Sequence, residues 1–406
     1  MAGVSKKKAV RAKKQPAAAA RVIEAAEAKP KNEQGPPVYL NWLWSQRDEP
    51  LLHIQEFPLY TDAHIVAETK HGPYEFLNTL AMIPGVTGIV RPAVILRYEL
   101  YWTFPYPDFS KTNTDRYHGG SPADEMAALA SLAMGVRFRA GDSTRNFEPK
   151  GDPKGRPTAF GRRSSPVLTK SPMQGWIVPR AAKGEHSLDL LKVLEVLPKL
   201  TPKTATTLIR AARLFQDALW LAESEPALAW LLLVSALETA ADHWRSQKEP
   251  ALVRFQTAKP DLYEELCKYN SKLADLVAQE FADSFGATRK FIDFVMKFRP
   301  PEPADRPPWG GIDWSDESME KILKMVYNYR SKALHAGKPF PAPMSEPPYT
   351  EGGWAAMTDK PHGHTSMSGG VWLESDIPIF LNTFEYIARE TLLNWWSAEA
   401  PRETAR

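Results

Sequence analysis

One cysteine, Cys267, among 406 residues excludes any disulfide within the chain and points to a reducing compartment, most simply the cytoplasm. Long apolar runs are missing as well. The densest, 227–237, is too short to cross a bilayer, so no membrane partner is expected. There is no Gly-x-Ser-x-Gly elbow, no Walker loop and no dinucleotide fingerprint, which removes the serine-hydrolase, P-loop and Rossmann classes. Gly151-Asp152-Pro153 and Gly155-Arg156-Pro157 are turn signals rather than a phosphate cradle. His362 and His364 stand one residue apart without a cluster of acids or cysteines to complete a metal shell. The expectation is therefore no metal and no cofactor, with Cys267 as helix filler.

What is present divides the chain. Residues 1–36 carry nine Lys or Arg against three Glu, a surplus of six in a chain that nets only +3, so the basic balance belongs to this tail. With no apolar face and no secretory core it reads as disordered, serving solubility or gripping nucleic acid nonspecifically. Residues 37–180 read as an α+β domain. The alternation over 94–104 predicts a strand, 51–60 a weaker one, and Ser121-Pro122-Ala123-Asp124 a capped helix running to Met134 before Gly135. Its apolar residues cover most of its circumference, as in a buried helix. Between 137 and 163 lies a second basic stretch. Arg137, Arg139, Arg145, Arg156, Arg162 and Arg163 either contact RNA phosphates or pair with Asp142, Glu148 and Asp152 on a solvated loop.

After a linker at 181–200, an all-α region spans 201–398, with a short tail at 399–406. Helices are predicted from Thr201-Pro202, from 227 to 245, from 261 to 281, from 287 to 298, and from 377 to 396. The loop 338–370, long for a compact domain, reads as mobile or as a flap over a site. Before it lies the best-defined helix: Ser315 as N-cap, Asp316 and Glu317 in the first turn, and Gly337 as the stop. Met319, Ile322, Leu323, Val326, Tyr327, Arg330, Ala333 and Leu334 make its apolar stripe. A guanidinium on such a stripe needs a partner, and Glu238, at the end of the apolar run of an earlier helix, is the expected one for Arg330 or Lys332. Five positions on sits His335, where the helix C-terminus favours a cation. Five positions turn through about 140° on an ideal helix, so the two side chains converge only if the arginine reaches along it. An arginine fork for phosphate oxygens beside a proton-transferring imidazole suits a phosphodiester. The plainer alternative is a structural arginine and a surface histidine.

The run Tyr-Asn-Tyr-Arg-Ser-Lys-Ala-Leu-His-Ala-Gly-Lys, 327–338, resembles the last-helix motif of the HEPN superfamily, in particular its Apea-like branch, and so does Leu-Leu-Leu-Val-Ser-Ala-Leu-Glu-Thr-Ala-Ala, 231–241. The resemblance covers roughly 201–396. It implies an α+β region followed by a HEPN-like all-α bundle that forms a homodimer, with two Arg-x4-His motifs facing a shared cleft. It further implies a metal-independent endoribonuclease, often a toxin or abortive-infection effector with an antitoxin or regulatory partner. Arg330 and His335 would be catalytic, Ser331, Glu238 and Lys332 supporting, and Lys338 a further RNA contact. Ser331 departs from the Asn, Asp or His common at that position in active members. The alternative is a catalytically silent module that binds nucleic acid or a ligand.

Overall fold

The computed structural model describes residues 34–79, 88–105, 108–149, 152–158, 161, 163–169, 175–245, 250–281, 286–351, 356–367 and 369–399. All but the last three residues of the basic tail, and Arg162, lie outside the described residues, as does most of the 399–406 tail.

The N-terminal part is β-rich. After α1 (Pro37–Ser45) come β1 (His53–Thr61), β2 (His64–Val66), β3 (Thr69–His71), β4 (Tyr74–Asn78) and β5 (Arg91–Leu100). With the short strands β6 (Arg139–Ala140), β7 (Arg145–Phe147) and β8 (Arg156–Pro157) they form one antiparallel sheet in the order β3-β4-β5-β1-β7-β8, β6 pairing with β1; β2 is not part of it. The long β1–β5 pair runs from His53 opposite Leu100 to Thr61 opposite Arg91, so the strand expected over 94–104 starts three residues earlier and ends four earlier. Proline within a central strand normally breaks the ladder. Here β7 pairs only with 54–56 and β6 only with 59–60, so Pro58 falls in the gap between them and its carbonyl accepts from Gly141 N–H at 2.8 Å. A residue's N–H points to the same side as its C=O, so the missing donor faces that gap and not β5.

Helix α2 (Pro122–Met134) starts as its sequence dictates, with Ser121 and Asp124 forming a reciprocal capping box and Gly135 ending it in the left-handed region at φ 67°. Every residue from Ala123 to Met134 except Asp124 is buried, because α2 lies between the sheet side and the helical part. Buried Glu125 accepts the Val38 N–H at 2.8 Å and pairs with His118, tying α1 down.

The expected linker is no linker. Apart from β9 (Glu185–Ser187), which pairs in parallel with β2, it contains a 3-10 helix over Leu188–Lys199 in which Leu188, Leu191, Leu194 and Leu197 are buried. Three residues per turn place every third residue on one face, and this leucine row packs on α2 and β3.

A helical part follows. Helices α3 (Pro202–Leu221, capped by Thr201) and α4 (Pro226–Arg245) pack together, and α4 also meets α8 (Ala287–Phe298), α9 (Asp316–Ala336) and α10 (Leu381–Ala398). One helix predicted over 261–281 is instead two, α6 (Pro260–Tyr269) and α7 (Ser271–Glu280), preceded by α5 (Ala251–Ala258). Asn270 makes the break by accepting the Lys272 N–H on its side chain. The described part of 338–370 is not a flap either. Phe340, Met344, Met357 and Asp359 are buried, and Phe340 stacks on Trp230 with ring centroids 5.1 Å apart. The last helix begins at Leu381 rather than 377, although Ile377 and Ile379 are already in the core. Among the described residues no helix is long and apolar enough to cross a membrane.

Candidate active site

Helix α9 forms between the residues read as its limits. The Ser315 side chain accepts from Ser318 N–H, Gly337 is left-handed at φ 61°, and Met319, Ile322, Leu323, Val326 and Tyr327 are buried. The stripe then runs out into solvent. Arg330 and Ala333 are half-buried and Leu334 is 51% exposed.

At that edge Arg330 Nη2 donates to Glu238 Oε2 at 2.7 Å, and Tyr327 Oη donates to Glu238 Oε1 at 2.8 Å. One α4 carboxylate thus receives two neighbours from α9, spaced i and i+3 on one face. The guanidinium lies 5.6 Å from the Tyr327 ring centroid, and Phe291 backs that ring at 5.3 Å. Burial, and then the Glu238 carboxylate, push the Tyr327 hydroxyl well above its ordinary value, so it stays a donor. Arg330 Nε is buried with no hydrogen-bond partner among the described residues. Arg330 is therefore oriented without being saturated: five N–H donors meet a single internal carboxylate oxygen.

His335 is exposed in the last turn, and no hydrogen bond or ion pair joins it to Arg330 among the described residues. Around it, Ser331 is half-buried, Lys332 and Lys338 are exposed, and the Lys332 amine stands 5.6 Å over the Tyr329 ring. Both Gly337 and Lys338 donate backbone N–H groups to the Lys332 carbonyl, closing the helix end. The structure joins Glu238 to Arg330, not to Lys332. Tyr327 is the member that sequence reasoning missed as a partner of the site, although its place three residues before Arg330 on the same stripe was the available signal.

In the second basic stretch Arg137 leaves the surface altogether and most of the other described arginines are paired within the chain. Arg137 is fully buried, donating to Asp62 at 3.0 Å, Glu223 at 2.6 Å and the Leu219 carbonyl at 2.7 Å. Glu223 in turn accepts the N–H groups of Ile177 and Val178. Arg139 pairs with Asp217 at 3.0 Å and lies over Trp220, and Arg163 pairs with Asp124 and Asp142. Arg156 is 3.7 Å from Asp152, and Arg145 donates to the carbonyls of Lys154 and Gly155 in its own hairpin. Arg145 and Arg156 remain exposed. As for His362 and His364, both face Glu374, which Lys360 already holds at 2.9 Å, and no group of three or more metal-ligating side chains occurs among the described residues.

No protein-family model, curated protein or solved structure matches this chain. The site is accordingly read from its own chemistry: a fixed cation at the edge of a core, an exposed imidazole one turn beyond it, and two exposed amines beside them.

Proposed function

We propose that the chain is a metal-independent endoribonuclease of the HEPN type, built on a HEPN-like helical bundle that pairs with a second copy so that two α9 ends face one cleft. The observation that carries the reading is Arg330, drawn onto the apolar edge by Glu238 through one Nη2 bond while its side chain stays 20% exposed. A phosphodiester oxygen accepts from the N–H groups of the guanidinium that face solvent. The 2′-hydroxyl of the substrate attacks the adjacent phosphorus, so the nucleophile comes with the RNA. His335 moves the proton as general base, then acid, and Arg330 neutralises charge developing on the phosphorane. Lys332 and Lys338 hold neighbouring phosphates, and Ser331 follows the arginine on the helix. The products are a 2′,3′-cyclic phosphate and a 5′-hydroxyl. Such an enzyme fits a cytoplasmic toxin or antiphage effector held in check by an antitoxin or regulatory partner.

A silent binding module is the second reading, favoured by the Arg330–Glu238 ion pair itself, which gives the arginine a structural role. Incubation of mixed RNA and DNA with wild type, Arg330→Ala and His335→Ala in EDTA, with end groups mapped, separates the two. Cleavage of RNA alone by the wild type alone, at least about 100-fold faster than by either variant, is expected, since positioned acid–base catalysis contributes at least that much. An inert wild type, or three proteins that cut alike, overturns the enzyme reading.

A further inference from the structure

Away from α9, a cavity of about 580 Å³ opens between the end of α2, the segment 180–193 and α10. Its walls combine groups that rarely meet without reason. Glu385, on α10, is only 3% exposed, and its Oε1 is buried with no hydrogen-bond partner among the described residues. Leaving a carboxylate oxygen unsatisfied in a core costs more than replacing the residue with an apolar one of the same length. Nearby cations do not relieve it. Arg389 donates to the Leu132 and Ala133 carbonyls that end α2, and to Glu390. It reaches them only because Gly135 lacks a side chain: a Cβ there would stand 2.9 Å from Arg389 Nε.

Two other cations on the wall are uncommitted. Arg180 stacks over the Tyr386 ring at 5.1 Å, and neither its guanidinium nor the Lys183 amine has a hydrogen bond or ion pair among the described residues. Both are half-buried. Val193, Leu393 and the 50% exposed Leu190 add apolar lining. The cavity thus offers a buried acceptor, an apolar wall and two cations, Arg180 and Lys183, beside Glu185 and the Arg389-bound Glu390, within the size of small-molecule sites.

We propose that this cavity binds a purine nucleotide, with an N–H edge of the base on Glu385 and the phosphate on Arg180 and Lys183. A carboxylate takes the paired donors of guanine, and a protonated carboxyl takes the donor–acceptor edge of adenine; the phosphate contact is common to both. The inference stands apart from the ribonuclease reading, because none of these residues belongs to the α9 site.

The test is calorimetric titration of the full chain with GMP, AMP, guanosine and orthophosphate. Wild type, Glu385→Met and the double variant Arg180→Ala/Lys183→Ala are compared, each checked by melting. One mononucleotide should bind saturably to the wild type, and each variant should weaken it about tenfold to a hundredfold. Guanosine and orthophosphate should bind more weakly than the matching nucleotide. Glu385→Met should melt no lower than the wild type without ligand, which separates lost binding from lost folding; the double variant changes only half-buried groups and keeps the test open. The proposal fails if neither mononucleotide binds, if both variants bind as tightly as the wild type, or if orthophosphate alone binds as tightly.

Discussion

With its carboxyl pushed up to about 7 by burial, against the pull of Arg389 and Arg180, Glu385 keeps its proton over a range in which the unfolded chain has already lost it. Below the ordinary carboxyl value of 4.5 both states are protonated and there is no penalty. As pH rises towards 7 the unfolded chain ionises first, so stability falls, and above that it is level. In urea unfolding from pH 4 to 8, Glu385→Met should gain on the wild type by on the order of 3 kcal/mol between pH 4.5 and 7 and then hold that lead. His186, in the same wall, has the opposite sign. Burial lowers it to about 4, so its contribution is complete above pH 6.5 and is lost as pH falls towards 4. Because His186 acts in both proteins, the difference between them reports on Glu385, and a wild type that gains on the variant from pH 4.5 to 7 would reverse the assignment.

At the level of the element, α9 shows how far local chemistry carries. Its cap, first-turn acids, buried stripe and glycine stop are all written within 23 consecutive residues from Ser315 to Gly337, so each was legible. Gly337→Ala should destabilise by about 1 kcal/mol in urea unfolding, and Gly337→Asn by less, since an added Cβ meets nothing within 4 Å and only the left-handed backbone is strained. The Ser121 box and the cap at Thr201 were legible for the same reason. Other elements were not. The leucines of 188–197 recur every third residue, a period that local reading passes over because 3-10 helices seldom last so long. The break at Asn270 hides inside an otherwise helical composition. Arg137 misled most. Arg145 and Arg156 farther along the same basic stretch are exposed, while the acids that pair with Arg137 lie 75 residues before and 86 after it. The pairing of Glu238 with Arg330 across 92 residues was readable only because each broke the pattern of an apolar face.

Across the described residues, most buried hydrophobic side chains form one cluster from Val38 to Trp396, so the β-rich and helical parts share a core. Arg137 is its polar fastener, holding the end of β1 through Asp62 and the end of α3 through Glu223 and Leu219. Cutting it to alanine leaves two buried carboxylates without their counter-ion. Arg137→Ala should lose about 3 to 5 kcal/mol in denaturant unfolding, with sheet and helix signals moving together. Separate transitions for the two parts would show that the fastener joins nothing. Trp230 carries a quieter consequence of the same shared core. Its indole is sandwiched between Phe384 of α10 and Phe340, which follows the Gly337 stop by three residues. The end of α9 is thereby wired to a fluorophore: a displacement of that end that carries Phe340 with it should alter the Trp230 stack and its emission.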